Sequence, residues 1–276
     1  MGIKTDTTVL REALDSCEAL LFFFGAGMSV DSGIPDYRSG GGWYTENSPF
    51  AKEGKNFMTI LHGKTLEKNA RPAWGMWGLK QEMFNRAEPH AGYLALAKAA
   101  IRKDSNSFVV TSNGDGLVYK AGFAPERVHQ CHGSIFRLQC RIPCVRTTWA
   151  MPDIDLQLRH DPLRADGELP RCPYCGELAR PNVYFFGDTE EKYVWEGHQE
   201  SATAFSQWLD KFGPTRLLML EVGCGTGAPG LRLHAENYLT SFKNSYLIRI
   251  NDSDATGPST RFTGLLGRAV DVLADL

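Results

Sequence analysis

The chain has 276 residues, 42% of them hydrophobic, enough to fill the core of one large domain or of a domain carrying an insertion. Its formal net charge of −2, with both signs interspersed, excludes the broad basic surface that nucleic-acid binding requires. No apolar stretch approaches the ~20 residues needed to span a bilayer, and the mixed-charge opening MGIKTDTTVLREALDS is not a signal peptide, so a cytoplasmic protein with no membrane partner is expected.

In chain order the elements alternate. TDTTVLREALDSCEA has helical periodicity with Thr or Asp available as a cap. LLFFFGAG reads as a buried strand entering a glycine turn, HAGYLALAKAAIRK as a helix, and SFVVTSNGDG as a strand ending in a polar loop. RLLMLEVGCG and SYLIRIN are further strands, and LLGRAVDVLADL is predicted to close the chain as a helix. Continuous apolar strands separated by helices predict an α/β protein with a parallel sheet covered on both faces. Ligands bind such sheets at the carboxyl ends of the strands, where the order reverses. Four polar or glycine-rich loops follow apolar strands, at Gly25, Asn113, Gly223 and Asn251, and together they mark a candidate site.

From about Ile135 to Arg180 the alternation breaks down. Seven cysteines in a cytoplasmic chain argue against a disulfide framework, and four of them fall in two close pairs, Cys140/Cys144 and Cys172/Cys175. The pairs are separated by the residues Val145 to Arg171, a spacing suited to structural zinc. Four sulfur ligands leave no open coordination position, so the metal is expected to hold the fold and not to do chemistry. A module this small has too little core to fold alone, and ligation supplies the missing free energy. Cys17, Cys131 and Cys224 are scattered and read as packing residues.

The loop GAGMSVDSGIPDYRS, Gly25 to Ser39, is unusually polar for a segment that follows ALLFFF. Gly25 and Gly27 remove side chains where the backbone must approach a bulky group, although the spacing is wider than the ordinary dinucleotide fingerprint. Pro35 stiffens the loop, Asp36 can accept from an amide or hydroxyl, and Arg38 can hold phosphate or ribose oxygens.

This loop resembles the signature loop of the sirtuins, NAD-dependent protein deacylases. The resemblance continues in order through TSNGDGLVYKAG, CHGS, the two cysteine pairs, RPNVYFFGD, VGCG and IRIN, and so covers nearly the whole chain. It implies a Rossmann-like sheet domain, residues 1–39, 76–134 and 181–276, with a smaller zinc-binding domain, residues 40–75 and 135–180, inserted. It further implies that Gly25, Ala26 and Gly27 line the pyrophosphate and nicotinamide-ribose region, that Ile34, Asp36 and Tyr37 shape the nicotinamide pocket, and that Arg38 contacts the cofactor. Ser112, Asn113 and Asp115 would orient the nicotinamide ribose, Gly223 and Gly225 would face the nucleotide, and Asn251 would hold the adenosine ribose. His132 matches the general base, with Asn113 and Asp115 beside it in the catalytic set, whereas His129 reads as a core residue. Phe186 and Gly187 match the strand edge that takes the substrate peptide.

The activity the resemblance implies is transfer of an acyl group from a protein lysine to ADP-ribose, with release of nicotinamide. The co-substrate would be NAD, the structural metal zinc, and the partner an acylated lysine-containing protein or peptide. Several residues depart from the family pattern. Ser112 replaces a glutamine, Gly114 an isoleucine, Val118 a histidine, Tyr37 a phenylalanine, and GCG a GTS loop. LEVGCGTGAPG instead resembles the corresponding segment of divergent, macrodomain-linked sirtuins that ADP-ribosylate proteins, yet those lack the His-Gly base that this chain keeps. The chain thus resembles a divergent member of bacterial type. The Tyr/Arg pair of desuccinylase-type relatives is not evident around MWGLKQEMF, which favours an uncharged acyl group. The alternatives on the same fold are a mono-ADP-ribosyltransferase and an NAD hydrolase. EVGCGTG also resembles a methyltransferase glycine motif, but too few residues follow it to complete that fold.

Overall fold

A computed structural model describes residues 7–37, 42, 43, 63–103, 106–160, 162–185, 187–274 and 276, with the backbone alone at 63–65. The chain divides into two compact units. The first comprises Met1–Ile34, Glu88–Cys131 and Glu200–Leu276; the second comprises Pro35–Ala87 and His132–Gln199.

The first unit is built on six parallel strands in the order β11-β10-β9-β1-β2-β3, with β1 Ala19–Phe24, β2 Ser107–Thr111, β3 Val128–Gln130, β9 Leu217–Val222, β10 Tyr246–Asn251 and β11 Phe262–Leu266. Every residue of β1, β2 and β9 is buried, which is why these segments read as unbroken apolar runs and not as an alternating pattern. Successive side chains of β1 still go to opposite faces. Phe23 joins Phe108, Trp208, Leu217 and Met219 in one cluster, while Phe22 and Phe24 pack on Phe123, and Phe24 also on Tyr93. From β1 the chain steps outward to β2 and β3, then returns to lay β9 on the other side of β1 and steps outward again. The order therefore reverses between β1 and β9, whose registered pairs run from Ala19↔Leu217 to Phe24↔Val222.

The end of the chain differs from its predicted closing helix. Leu265 and Leu266 belong to β11 and pair with Ile250 and Asn251, and only Ala269–Val272 is helical. Pairing with β10 overrides the local helical pattern. Among the described residues no helix is long and apolar enough to cross a membrane.

The second unit holds the antiparallel sheet β5-β4-β8, with β4 Gly133–Cys140, β5 Trp149–Ala150 and β8 Ala179–Val183, and the hairpin of β6 Leu158–His160 with β7 Leu163–Ala165. The helix Ala70–Arg86, which a boundary at 75/76 would divide, lies whole in this unit, as do residues 181–199. Gly75 allows that helix to lie directly on β7: a Cβ there would sit 2.4 Å from the Arg164 Cα. Lys80, 3% exposed, sets its ammonium 5.0–5.8 Å from the ring centroids of Tyr37, Trp43, Trp77 and Phe84, so cation–π attraction ties the helix to the Tyr37–Trp43 segment.

Candidate functional site

In the first unit the loops that leave β1 and β9 meet at the point of strand reversal. The Gly25 amide donates to the Val222 carbonyl and the Gly27 amide to the Gly223 carbonyl, both at 3.0 Å. A Cβ on Gly25 would lie 2.5 Å from the Gly223 oxygen, and one on Gly27 would lie 2.8 Å from the Gly223 Cα. Gly223 itself has φ +65°, and a Cβ there would stand 2.1 Å from the Met28 nitrogen. The contact that makes these three residues glycine is thus loop against loop, where the sequence suggested room for a ligand. Gly225 is different, since a Cβ there would meet only open space.

Beyond Gly25, residues Ala26–Ser32 form a 3₁₀ turn ended by Gly33 at φ +82°. Its polar hub is Ser29, 1% exposed, a residue to which the sequence reading gave no role. The Ser29 hydroxyl donates to Asp115 Oδ2 at 2.6 Å and accepts from Asn113 Nδ2 at 3.1 Å. Tyr93 Oη lies 3.1 Å away. Because the single Ser29 hydrogen goes to Asp115, the phenol must be the donor in the Tyr93–Ser29 contact. Burial, with the Asp115 charge as a second cause, pushes the Tyr93 hydroxyl far above its ordinary pKa, so it stays a donor. Asn113 Nδ2 also donates to the Gly25 carbonyl at 2.9 Å, and Asp115 Oδ1 accepts from the Leu117 amide at 2.9 Å. Ser112 is half-buried and donates its amide to the Phe24 carbonyl. The structure therefore gathers Gly25, Gly27, Asn113 and Asp115 round Ser29.

Two further tethers hold this loop. His90 Nδ1 accepts from the Gly92 amide at 3.0 Å, so Nε2 carries the hydrogen that goes to the Met28 carbonyl at 2.9 Å. Burial lowers the pKa of this imidazole. Asp31 takes two hydrogen bonds from Arg268 and one from the Val270 amide, capping the last helix. Ile34, 5% exposed, closes the first unit's share of the loop.

At the other strand ends Asn251 donates from Nδ2 to the Cys224 carbonyl at 3.1 Å, and its Oδ1 accepts from Ser253 and the Asp254 amide. The Arg232 Nε donates to the same Cys224 carbonyl at 2.9 Å while its other nitrogens reach Asp254. Behind them Glu221, fully buried, is gripped by Arg249 at 2.7 and 2.8 Å. The loops after β9 and β10 are thereby fixed to each other by side chains of Arg232 and Asn251.

In the second unit Asp36 is half-buried, and its carbonyl accepts from the Trp43 amide; Tyr37 is 36% exposed. Arg38 and Phe186 lie outside the described residues. His132 is exposed, and its carbonyl accepts from the Tyr184 amide at 3.1 Å. The residue after it must be glycine: Gly133 has φ +79°, and a Cβ would stand 2.1 Å from the Asn182 oxygen. His129 is 7% exposed in the first unit with Nδ1 2.9 Å from Ser201 Oγ, in keeping with its reading as a core residue.

The sulfurs of Cys140, Cys144, Cys172 and Cys175 lie within 4.8 Å of one another. The separations Cys140–Cys175 and Cys144–Cys172 are 3.7 and 3.6 Å, close to the ~3.8 Å edge of a tetrahedron with Zn–S bonds of about 2.3 Å. The donor set therefore fits zinc, with two ligands from the end of β4 and its turn and two from the turn before β8.

A parallel sheet whose switch-point loops carry paired glycines and oriented amide and carboxylate groups, together with a four-thiolate module, defines an α/β nucleotide-binding protein with a structural metal. The Sir2 family model matches residues 25–205, and the chain belongs to the Sir2 family. It is 31% identical over 187 residues to the NAD-dependent protein deacylase 2 of Pseudomonas aeruginosa, covering 67% of each chain. It is 31% identical over 186 residues to an NAD-dependent protein deacetylase of Staphylococcus aureus, covering 67% of this chain and 69% of that one. Among solved structures, a Sir2 complex with a deacetylated p53 peptide and 3′-O-acetyl ADP-ribose aligns with TM-score 0.67 at 20% identity, over 97% of this chain and 96% of that one.

Proposed function

We propose that this chain is an NAD-dependent protein-lysine deacylase that releases nicotinamide and forms O-acyl-ADP-ribose. The observation that carries the reading is the Asn113–Ser29–Asp115 cluster at the switch point, where an amide and a carboxylate are held by hydrogen bonds to the first glycine loop. Bound NAD supplies an electrophilic ribose carbon as nicotinamide departs, and the acyl-lysine carbonyl oxygen is the nucleophile.

The residues divide the work. Asn113 and Asp115 hold the nicotinamide ribose, and their own tethers keep them from reorienting as charge develops. The backbone at Gly25, Ala26 and Gly27 lies along the pyrophosphate, Ile34, Asp36 and Tyr37 wall the nicotinamide, and Arg38 and Ser112 add polar contacts. Gly225, where a Cβ would meet open space, leaves the loop after β9 free to lie along the nucleotide, with Gly223 and Asn251 fixing that loop. The His132 imidazole takes a proton from a ribose hydroxyl. The protein substrate adds as an extended strand at Phe186 and Gly187, the edge that the resemblance assigns to it. Free thiols arranged for a metal suit a reducing compartment, which supports a cytoplasmic location.

The deciding experiment is mass spectrometry of products from NAD and an acetylated peptide. Loss of the acetyl mass with release of nicotinamide is expected. A peptide gaining an ADP-ribosyl group would make the chain a transferase, and ADP-ribose formed without peptide would make it a hydrolase.

A further inference from the structure

The helix Gly230–Ser241 follows the loop that leaves β9, and it carries two charged residues one turn apart, Arg232 and Glu236, that reach the sheet. There Glu221 and Arg249 stand side by side in register on β9 and β10. Arg249 holds both Glu221 oxygens and also donates to Glu236 Oε1 at 2.8 Å, so the ion pair of the sheet is complete without Arg232. Arg232 is nonetheless 7% exposed, with its Nε 3.5 Å from Glu221 Oε1. Its hydrogen bonds all go to the loops after β9 and β10: Nε to the Cys224 carbonyl, Nη1 to Asp254 Oδ2 at 3.2 Å, and Nη2 to the Asp254 carbonyl.

Charge neutralisation does not account for Arg232. Taking a second guanidinium out of water against one carboxylate costs desolvation, and a long apolar side chain would fill the same volume without that cost. What the guanidinium adds is direction. The Cys224 carbonyl receives Arg232 Nε at 2.9 Å and Asn251 Nδ2 at 3.1 Å, two donors that fix where it points. In a planar trans peptide the next N–H points the opposite way, so fixing that carbonyl aims the Gly225 amide. Gly225 is exposed, a Cβ on it would meet only open space, and its amide has no hydrogen-bond partner among the described residues. We infer that Arg232 is a positioning residue for NAD, holding the Cys224–Gly225 peptide so that the Gly225 amide donates to an oxygen of the adenosine diphosphate half. The inference rests on NAD binding at the strand reversal and extends it to a side chain that need not touch the nucleotide itself.

The test compares wild type with Arg232→Met by isothermal titration calorimetry against NAD and against ADP-ribose, with a thermal melt and initial rates beside it. Because Glu221 keeps Arg249 and the Cys224 carbonyl keeps Asn251, the variant is expected to fold. Its Kd for both nucleotides and its KM for NAD should rise about ten-fold, while its KM for acetylated peptide stays within about two-fold of wild type. A folded variant with an unchanged NAD Kd would overturn the inference. So would a rise for NAD alone, which would put the effect at the nicotinamide end. If Arg232→Met does not fold, Arg232→Lys decides on the same titrations: it keeps the charge but lacks the fork that serves the Cys224 carbonyl and Asp254 together, and an unchanged Kd refutes the role. Wild-type protein that binds neither nucleotide would overturn the NAD reading itself. The calorimetry decides in the same way whether the chain proves a deacylase, a transferase or a hydrolase.

Discussion

Ser29 shows how one hydroxyl can organise a site. It gives its only hydrogen to Asp115 and receives from Asn113 and Tyr93, so removing it strands a buried carboxylate oxygen and two donors at once. Ser29→Ala is expected to cost about 1–3 kcal/mol in unfolding free energy and to raise the KM for NAD, measured by denaturant titration and initial rates. His132→Ala is expected to keep the fold and lower kcat by about 10²–10⁴-fold, read from nicotinamide release. His90 gives a pH signature. Its folded pKa lies below the ordinary 6.5, so between these values the unfolded chain binds the proton more readily than the folded one. The stabilisation is complete above 6.5 and is lost as the pH falls toward the folded value. His90→Asn keeps an N-cap without a titrating group, and its melting temperature should fall less between pH 7 and pH 5 than that of wild type, by about a degree or more. Asn113 and Asp115 could be singled out from the sequence because each stands in a motif, and the structure brings both to Ser29. Ser29 and Tyr93 were not legible: they are 64 residues apart, and only the packing of the helix that starts at Ala91 against the loop brings them together.

At the scale of elements, the apolar strands β1, β2, β9 and β10 could be read because burial on both faces leaves continuous hydrophobic runs. β11 could not, since its Phe262–Leu266 is partly exposed and becomes a strand only through β10. The helix Ala70–Arg86 was obscured by Gly75 and Gly78, which weaken the helical signal but let it lie against β6 and β7. The glycine loops yield a paired prediction. Gly223→Ala forces a side chain into positive φ and onto the Met28 nitrogen, and should cost at least about 1–3 kcal/mol. Gly225→Ala meets open space and should leave the melting temperature within about a degree of wild type. Equal effects of the two in a thermal melt would contradict the loop-against-loop packing.

Considered whole, the molecule has one unit built on a large parallel sheet and a second that carries four thiols at tetrahedral spacing. Zinc removal by a chelator is expected to melt the second unit while the parallel sheet keeps much of its circular dichroism signal, since metal ligation in such modules is worth roughly 10–16 kcal/mol. A single two-state transition with and without chelator would count against a metal-held module. The pairing of cysteines was readable from spacing alone, but the extent of the second unit was not, because the helix Ala70–Arg86 and residues 181–199 join it through contacts that no local pattern announces.

The side-by-side placement of β1 and β9 has a consequence for biosynthesis. Ala19 pairs with Leu217, so one edge of β1, whose other edge takes β2, must wait for roughly 200 further residues before its partner leaves the ribosome, about 10–40 s at ordinary elongation rates. During that interval the nascent polypeptide presents a greasy, hydrogen-bond-hungry border to the cell. Chains cut off before Leu217 should therefore depend on chaperones or form aggregates, and a slowed ribosome upstream of that point should lower the yield of soluble product.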